Sequence, residues 1–167
     1  MWDHKTGGWF HRTDRAGEPL EARTKHVHGA AYAIAASVAV HTATGNMDAL
    51  SLAREGFLWL EQYAHDNQYG GYFGFLTHEG VVIRDPSDCP WSAVTDTIDT
   101  PIGLKDCNVH IDLLQTFTYL YRAWPDPKVV ERLQELVRIL CDKMILATGP
   151  VFFLCQPDWT PVPHPMR

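Results

Sequence analysis

The sequence lacks long apolar runs and any excess of basic residues, and each absence excludes a class of protein. None of its apolar stretches approaches the roughly 20 residues that a membrane-spanning helix needs. Its formal net charge at pH 7 is −6, with 14 Lys and Arg against 20 Asp and Glu. No basic surface is therefore available to bind the phosphates of a nucleic acid. We expect neither a membrane nor a nucleic acid as a partner.

The cysteines and histidines are scattered rather than clustered. No CxxC pair occurs, so free thiols in a reducing cytoplasm are the first expectation, supported by the absence of an apolar leader segment. Among the nine histidines the only close pair is His26 and His28, whose spacing of two places them on different faces of a helix. The sequence therefore predicts no metal site. The four cysteines are Cys89, Cys107, Cys141 and Cys155.

What the chain does contain is a repeated unit. Residues 3–10 match residues 66–73, class for class, around a Gly-Gly-aromatic turn. Each copy is followed by a loop, a lysine (Lys25 or Lys105), a helix, a tight turn and a second helix, and a third copy begins after Gly149. Such units bury their faces on neighbouring units, so they stack as a solenoid or close into a ring. The 167 residues are expected to form one all-α domain with small β-hairpins in the linkers.

Four helices are predicted from apolar spacing and capping residues. The first two cover about residues 21–43 and 47–65, the third runs from 105 to the Trp-Pro-Asp-Pro sequence at 124–127, and the fourth covers about 128–146. On the fourth helix we expect Val137 and Cys141 to face inward. Arg132 and Glu135 are expected to lie on its solvated face.

The third helix carries an unusual polar stripe. An ordinary surface helix presents mostly Lys and Glu to water, whereas this stripe consists largely of amide, carboxylate and phenol groups, which hydrogen-bond to sugar-like hydroxyls. The alternative is a half-buried helix whose polar groups are satisfied within the protein. At helical spacing the stripe comprises Lys105, Asn108, Asp112, Gln115 and Tyr119.

These residues carry a resemblance to a known family. Residues 105–112 together with residues 119–126, and the Asp-Trp-Thr-Pro sequence at 158–161, resemble the motifs of the N-acylglucosamine 2-epimerase superfamily, which includes cellobiose 2-epimerases and aldose–ketose isomerases. The resemblance covers nearly the whole chain. It implies a closed (α/α)6 barrel with a sugar funnel at one end. It also implies proton transfer at C2 of an open-chain sugar by histidines, through an enediolate and without a metal or other cofactor.

The resemblance also suggests which residues contact a small sugar. Asn108 stands where the family has a sugar-contacting asparagine, and Lys105 belongs to the same motif. Asp112 departs from the family, because most members have a pocket histidine there. His28 and Tyr32, with Lys25, share a face of the first helix and would line the same funnel, although core packing accounts for Tyr32 equally well. His110 occupies the family's middle histidine, yet it points away from the stripe and is expected to be structural.

The groups that perform the family's proton transfer have no counterpart in this sequence. We therefore expect residues 1–167 to form one partial barrel of two to three helical hairpins, without the first helical pair and the C-terminal half. The expected function is that of a truncated epimerase or isomerase with little or no activity alone. A non-catalytic carbohydrate-binding module, or a module that self-associates through exposed helix faces, is the alternative. A glycoside hydrolase would need two facing carboxylates, and Asp112 is the only one placed on the stripe.

Overall fold

The computed structural model describes residues 1–20, 24–89, 93–145, 149 and 151–163. Within these residues the fold consists of helices joined by very short strands. The helices are α1 (Val27–Thr44), α2 (Met47–Tyr63), α3 (Cys107–Ala123) and α4 (Pro127–Ile139), and α4 continues as a π-helical turn at Leu140–Met144. Two antiparallel pairs join β1 (Lys25–His26) to β2 (Phe75–Leu76), and β3 (Lys105–Asp106) to β4 (Leu154–Cys155). The predicted all-α architecture with small β-hairpins is confirmed.

The helices form two hairpins whose ends are encoded by their capping residues. Gly45 adopts φ +71° and its N–H bonds the carbonyl of His41, which closes α1 in the left-handed conformation that glycine favours. The side chain of Asn46 then accepts hydrogen bonds from the N–H groups of Asp48 and Ala49 and begins α2. Asp126 caps α4 in the same way, with Pro127 in its first turn. The short connections predicted from these residues are confirmed.

The core lies where α1 and α3 pack side by side, with α2 and α4 against them. Alanines on α1 let the backbones approach closely, so the Thr116 hydroxyl of α3 donates directly to the carbonyl of Ala31 at 3.1 Å. Phe117 of α3 meets Phe57 of α2 edge to face, with ring centroids 5.0 Å apart. Both rings are fully buried. The two hairpins therefore share one continuous core.

The structure corrects three details of the helices. First, α1 begins at Val27 and α3 at Cys107, because the residues just before them pair as strands; residues 21–23 lie outside the described residues. Second, the π-helical turn after Ile139 rotates the following side chains to a different side of the helix, so Cys141 is exposed. Third, Val137, also expected inside, is 47% exposed. The predicted end of the last helix at residue 146 lies outside the described residues.

A further correction concerns Arg132, which was expected in solvent and is only 6% exposed. Its Nε donates to Oε2 of Glu61 at 2.8 Å, and its Nη1 donates to Oε2 of Glu135 at 2.8 Å. Glu135 also accepts hydrogen bonds from the N–H of Gly71 at 2.7 Å and from Nε2 of His65 at 2.9 Å. This network joins the two hairpins to the turn before β2, so the arginine is structural.

His110 is structural as predicted. It is fully buried, and both ring nitrogens bond the backbone. Its Nδ1 donates to the carbonyl of Asp106 at 2.7 Å, and its Nε2 accepts from the N–H of Tyr72 at 3.1 Å. These bonds require the neutral imidazole, and burial lowers its pKa from 6.5 to about 4.

Acid should therefore destabilise the protein through His110. Between pH 6.5 and pH 4 the unfolded chain takes up a proton that the folded imidazole refuses, so the free energy of unfolding falls as the pH is lowered through this window. The loss from this one group is at most about 3 kcal/mol. Urea unfolding at pH 7, 6, 5 and 4.5 should show a smaller pH slope for His110→Gln than for the wild type. Equal slopes would contradict this account of His110.

Candidate functional site

The candidate site lies on the exposed side of the α1–α3 pair, near the N-terminal ends of both helices. We call this surface, defined by His28, Tyr32, Asn108 and Asp112, the α1–α3 face. Tyr32 is 57% exposed and Asn108 is exposed, although the opposite sides of their helices are buried in the core. The bond between Thr116 and Ala31 fixes the two helices to each other beneath this surface. Side chains on the two helices can therefore meet above it.

His28 and Asp112 meet across the two helices. Nδ1 of His28 lies 2.5 Å from Oδ2 of Asp112, although the two groups are not aligned as in an ordinary hydrogen bond. The Tyr32 hydroxyl donates to Oδ1 of the same carboxylate at 3.4 Å, and its ring meets that of His28 edge to face at 5.1 Å. The His28 side chain is 32% exposed and that of Asp112 is 15% exposed. A carboxylate held between an imidazole and a phenol thus faces an open surface.

Asn108 lies one helical turn before Asp112 on α3, and the polar stripe continues toward the C-terminus of the helix. There the side-chain amide of Gln115 donates to the hydroxyl of Tyr119 at 2.9 Å. The structure thus brings His28, Tyr32 and Asp112 into contact and places Asn108 beside them. An open surface with carboxylate, amide, phenol and imidazole groups can donate to and accept from several hydroxyls at once.

Lys105 lies elsewhere. It is fully buried, and its Nζ donates to Oδ2 of Asp66 at 2.7 Å and to the carbonyls of Gly70 at 2.7 Å and Pro157 at 2.8 Å. An ammonium group has three donors, and all three have acceptors within the protein. Lys25 is buried in the equivalent place of the first repeat, where it bonds Asp3. We therefore leave both lysines out of the proposed sugar site.

Behind the α1–α3 face lies a second histidine–carboxylate pair that the sequence analysis missed. Nε2 of His26 lies 2.9 Å from Oδ2 of Asp96, and both side chains are buried. The rings of His26 and His28 are 6.2 Å apart, and His11 lies 5.4 Å from His26 on its other side. Burial, with the neighbouring His26 and Arg12 charges, lowers the pKa of His11 to about 4. Asp96 lies 70 residues from His26 in an irregular loop, so no spacing in the sequence indicates the pair.

Two searches of the described residues gave a negative result. Among them no group of three or more His, Cys, Asp or Glu side chains is arranged to hold a metal ion. Within the same residues no helix is both long enough and apolar enough to cross a membrane.

Comparison with known proteins identifies the sequence family. The family model for N-acylglucosamine 2-epimerase (GlcNAc 2-epimerase) matches residues 7–93, which is about half of the chain. A cellobiose 2-epimerase of Bacteroides fragilis is 27% identical over 148 residues, covering 87% of this chain and 35% of the relative. One of Ruminococcus albus is 30% identical over 135 residues, covering 79% of this chain and 31% of the relative. The chain thus spans about a third of the length of these curated relatives.

Solved structures agree with the sequence comparison. The cellobiose 2-epimerase of Spirochaeta thermophila superposes with a TM-score of 0.81 at 28% identity, covering 96% of this chain and 38% of that one. The epimerases of this kind are (α/α)6 barrels, so the two hairpins correspond to part of such a barrel. The family predicted from the motifs is confirmed: the chain belongs to the N-acylglucosamine 2-epimerase family.

Proposed function

We propose that this chain forms a sugar-binding wall of a carbohydrate 2-epimerase or aldose–ketose isomerase. The reaction would be proton transfer at C2 of an open-chain mono- or disaccharide, without a cofactor. The observation that carries the proposal is the contact of His28 and Tyr32 of α1 with Asp112 of α3, on an open face beside Asn108. Cellobiose 2-epimerases among the relatives support the reaction class.

Each residue of the face has a role that follows from its chemistry. Asp112 accepts hydrogen bonds from sugar hydroxyls, and bonds to a charged acceptor are the stronger kind. His28 and Tyr32 hold that carboxylate in place, and the Asn108 amide both donates and accepts. Lys105 and Lys25 act at a distance, because they fix the turns that connect the hairpins.

Turnover by this chain alone should be slight or absent. Epimerisation removes a proton from one face of C2 and returns one to the other face, so it needs proton-transfer groups on both sides of the sugar. On the α1–α3 face of the described residues His28 is the one imidazole, so this face offers a histidine base to one side of the sugar at most. The cysteines bear on a separate question, the location of the protein. Three are buried, the fourth is exposed and all four are free, which fits the reducing cytoplasm that we propose.

Sugar binding should depend on Asp112. Calorimetric or NMR titration with cellobiose, mannose and N-acetylglucosamine should give weak but saturable binding of at least one of them. Asp112→Asn should weaken that binding about 10- to 100-fold, because a hydrogen bond to a charged acceptor contributes roughly 1.5–3 kcal/mol. Asn108→Ala should weaken it by a smaller factor.

Asp48→Asn is the matched control, because Asp48 is an exposed carboxylate at the start of α2 and belongs to no part of the face. It should leave the affinity unchanged. Saturable binding that Asp112→Asn and Asn108→Ala leave intact would place the sugar elsewhere. No binding of any sugar by the folded chain would remove the proposal.

A glycoside hydrolase is less well supported. That chemistry uses two carboxylates that face each other across the scissile bond. Among the described residues of the α1–α3 face, Asp112 is the one carboxylate.

A further inference from the structure

The second hairpin carries an open apolar groove on the side away from the first. The groove is shallow, with a volume of about 500 Å³ between α3 and α4, and we call it the α3–α4 groove. Val137, on the wall of the groove, is an apolar side chain that is 47% exposed. The groove is lined by Leu114, Thr118, Leu133, Gln134, Val137 and Arg138.

The repeat shows what kind of surface covers such a groove. Lys25 and Lys105 begin matching units, so residue i of the first hairpin corresponds to residue i + 80 of the second, to the nearest residue. The groove residues Leu114, Thr118, Leu133 and Val137 then correspond to Ile34, Val38, Ala53 and Phe57. All four of these counterparts are buried, at 0–4% exposure.

In the first hairpin that surface is covered by α3. Phe117 packs on Phe57, and Thr116 bonds Ala31. The face of α3 that makes this contact is wholly buried and comprises Val109, Leu113, Thr116, Phe117 and Leu120. The equivalent surface of the second hairpin is the α3–α4 groove, and among the described residues no helix covers it.

The chain contains a matching face that is also open. Shifted back by one repeat, the covering face of α3 corresponds to a side of α1 that consists of Gly29, Ala33, Ala36, Ser37 and Val40. Three of these residues are exposed, and Val40 is 47% exposed. The two surfaces differ in size from their counterparts: on the groove wall Leu133 replaces Ala53 and Val137 replaces Phe57. On the α1 side Ala33 and Ser37 stand in place of Leu113 and Phe117. No charged side chain stands on this side of α1.

We propose that the α3–α4 groove of one copy receives the Gly29–Val40 side of α1 from a second copy. The contact repeats, between two molecules, the packing that joins the two hairpins within one molecule. It is head to tail, since the two surfaces differ, and a contact of this kind either closes into a ring or continues as a chain of copies. This proposal does not depend on sugar binding.

Light scattering coupled to gel filtration tests the proposal with two single variants. The wild type should exceed the 18.9 kDa of one chain, and its mass should rise with concentration into the high micromolar range. Val137→Asp places a charge in the groove, and Val40→Asp places one on the α1 side. Both positions are half exposed in the single chain, so both variants should keep wild-type helicity and run as monomers.

The decisive sample is the equimolar mixture of the two variants. Val40→Asp keeps an intact groove and Val137→Asp keeps an intact α1 side, so the mixture should form a heterodimer and nothing larger. Val81→Asp, at a position 63% exposed in the turn after β2, is the control and should associate like the wild type. Three results would overturn the proposal: a monomeric wild type, a variant that still associates fully, or a mixture that stays monomeric.

Discussion

Replacing Lys105 with methionine is expected to lower the free energy of unfolding by about 3–5 kcal/mol, because a buried charge is left without its partner. Methionine fills most of the space of the lysine stem but cannot donate. The Asp66 carboxylate, 4% exposed, would lose its 2.7 Å contact, and two buried carbonyls would lose a donor. Burial opposes ionisation of Asp66, yet hydrogen bonds from Lys105 and the backbone hold its pKa below the usual value. The charge therefore persists in the folded protein.

Lys128→Met is the matched control for this substitution. Lys128 pairs with Glu131 at 3.1 Å, but its side chain is 44% exposed, and surface pairs contribute little. The free energy of unfolding of the Lys128→Met variant, measured in urea, should lie within about 0.5 kcal/mol of the wild-type value. Similar losses for the two lysines would show that the ion pair between Lys105 and Asp66 does not stabilise the turn.

Gly71→Ala should cost about 3 kcal/mol. Gly71 adopts φ +72°, which an L side chain tolerates poorly. A Cβ atom there would also lie 2.5 Å from Cζ2 of Trp159 and 2.7 Å from Nε2 of His110. Both neighbours are held in place: Trp159 donates from Nε1 to the carbonyl of Tyr69 at 2.7 Å, and His110 is bonded at both nitrogens. The substitution therefore combines backbone strain with overpacking.

Gly45→Ala separates the two contributions. Gly45 has nearly the same φ, +71°, but nothing lies within 4 Å of the position its Cβ would take. Its loss should be about 1 kcal/mol, the backbone term alone. Thermal or urea unfolding of both variants measures the difference. Equal losses would mean that the turn can move away from Trp159 and His110 without further cost.

Local sequence determined what could be predicted of the fold. Asn46, Gly45 and Asp126 act through groups two to four residues away, so the helix ends could be read from neighbours in the chain. Arg132 could not be placed, because its partner Glu61 lies 71 residues away on another helix. The phase of α4 also changes at a π-helical turn, which helical periodicity does not indicate.

The site was predicted in part for the same reason. Asn108 and Asp112 share a stripe because both lie within α3. Lys105 was grouped with them by helical spacing, but it lies in β3, where that spacing does not apply, and its side chain points into the turn of the preceding repeat. His28 and Asp112 lie on different helices, so only the packing of α1 on α3 brings them to 2.5 Å.

The most direct test of the central claim follows sugar protons in heavy water by NMR. With cellobiose, mannose or N-acetylglucosamine, the account predicts saturation transfer from the protein to the protons of at least one sugar. That transfer should fall sharply in Asp112→Asn, in line with its weaker binding, and no deuterium should enter C2. Deuteration at C2 that His28→Ala abolishes would contradict the claim that the chain binds without turning over, since His28 would then be a working base. Saturation transfer that Asp112→Asn leaves unchanged would contradict the claim that the sugar binds at the α1–α3 face.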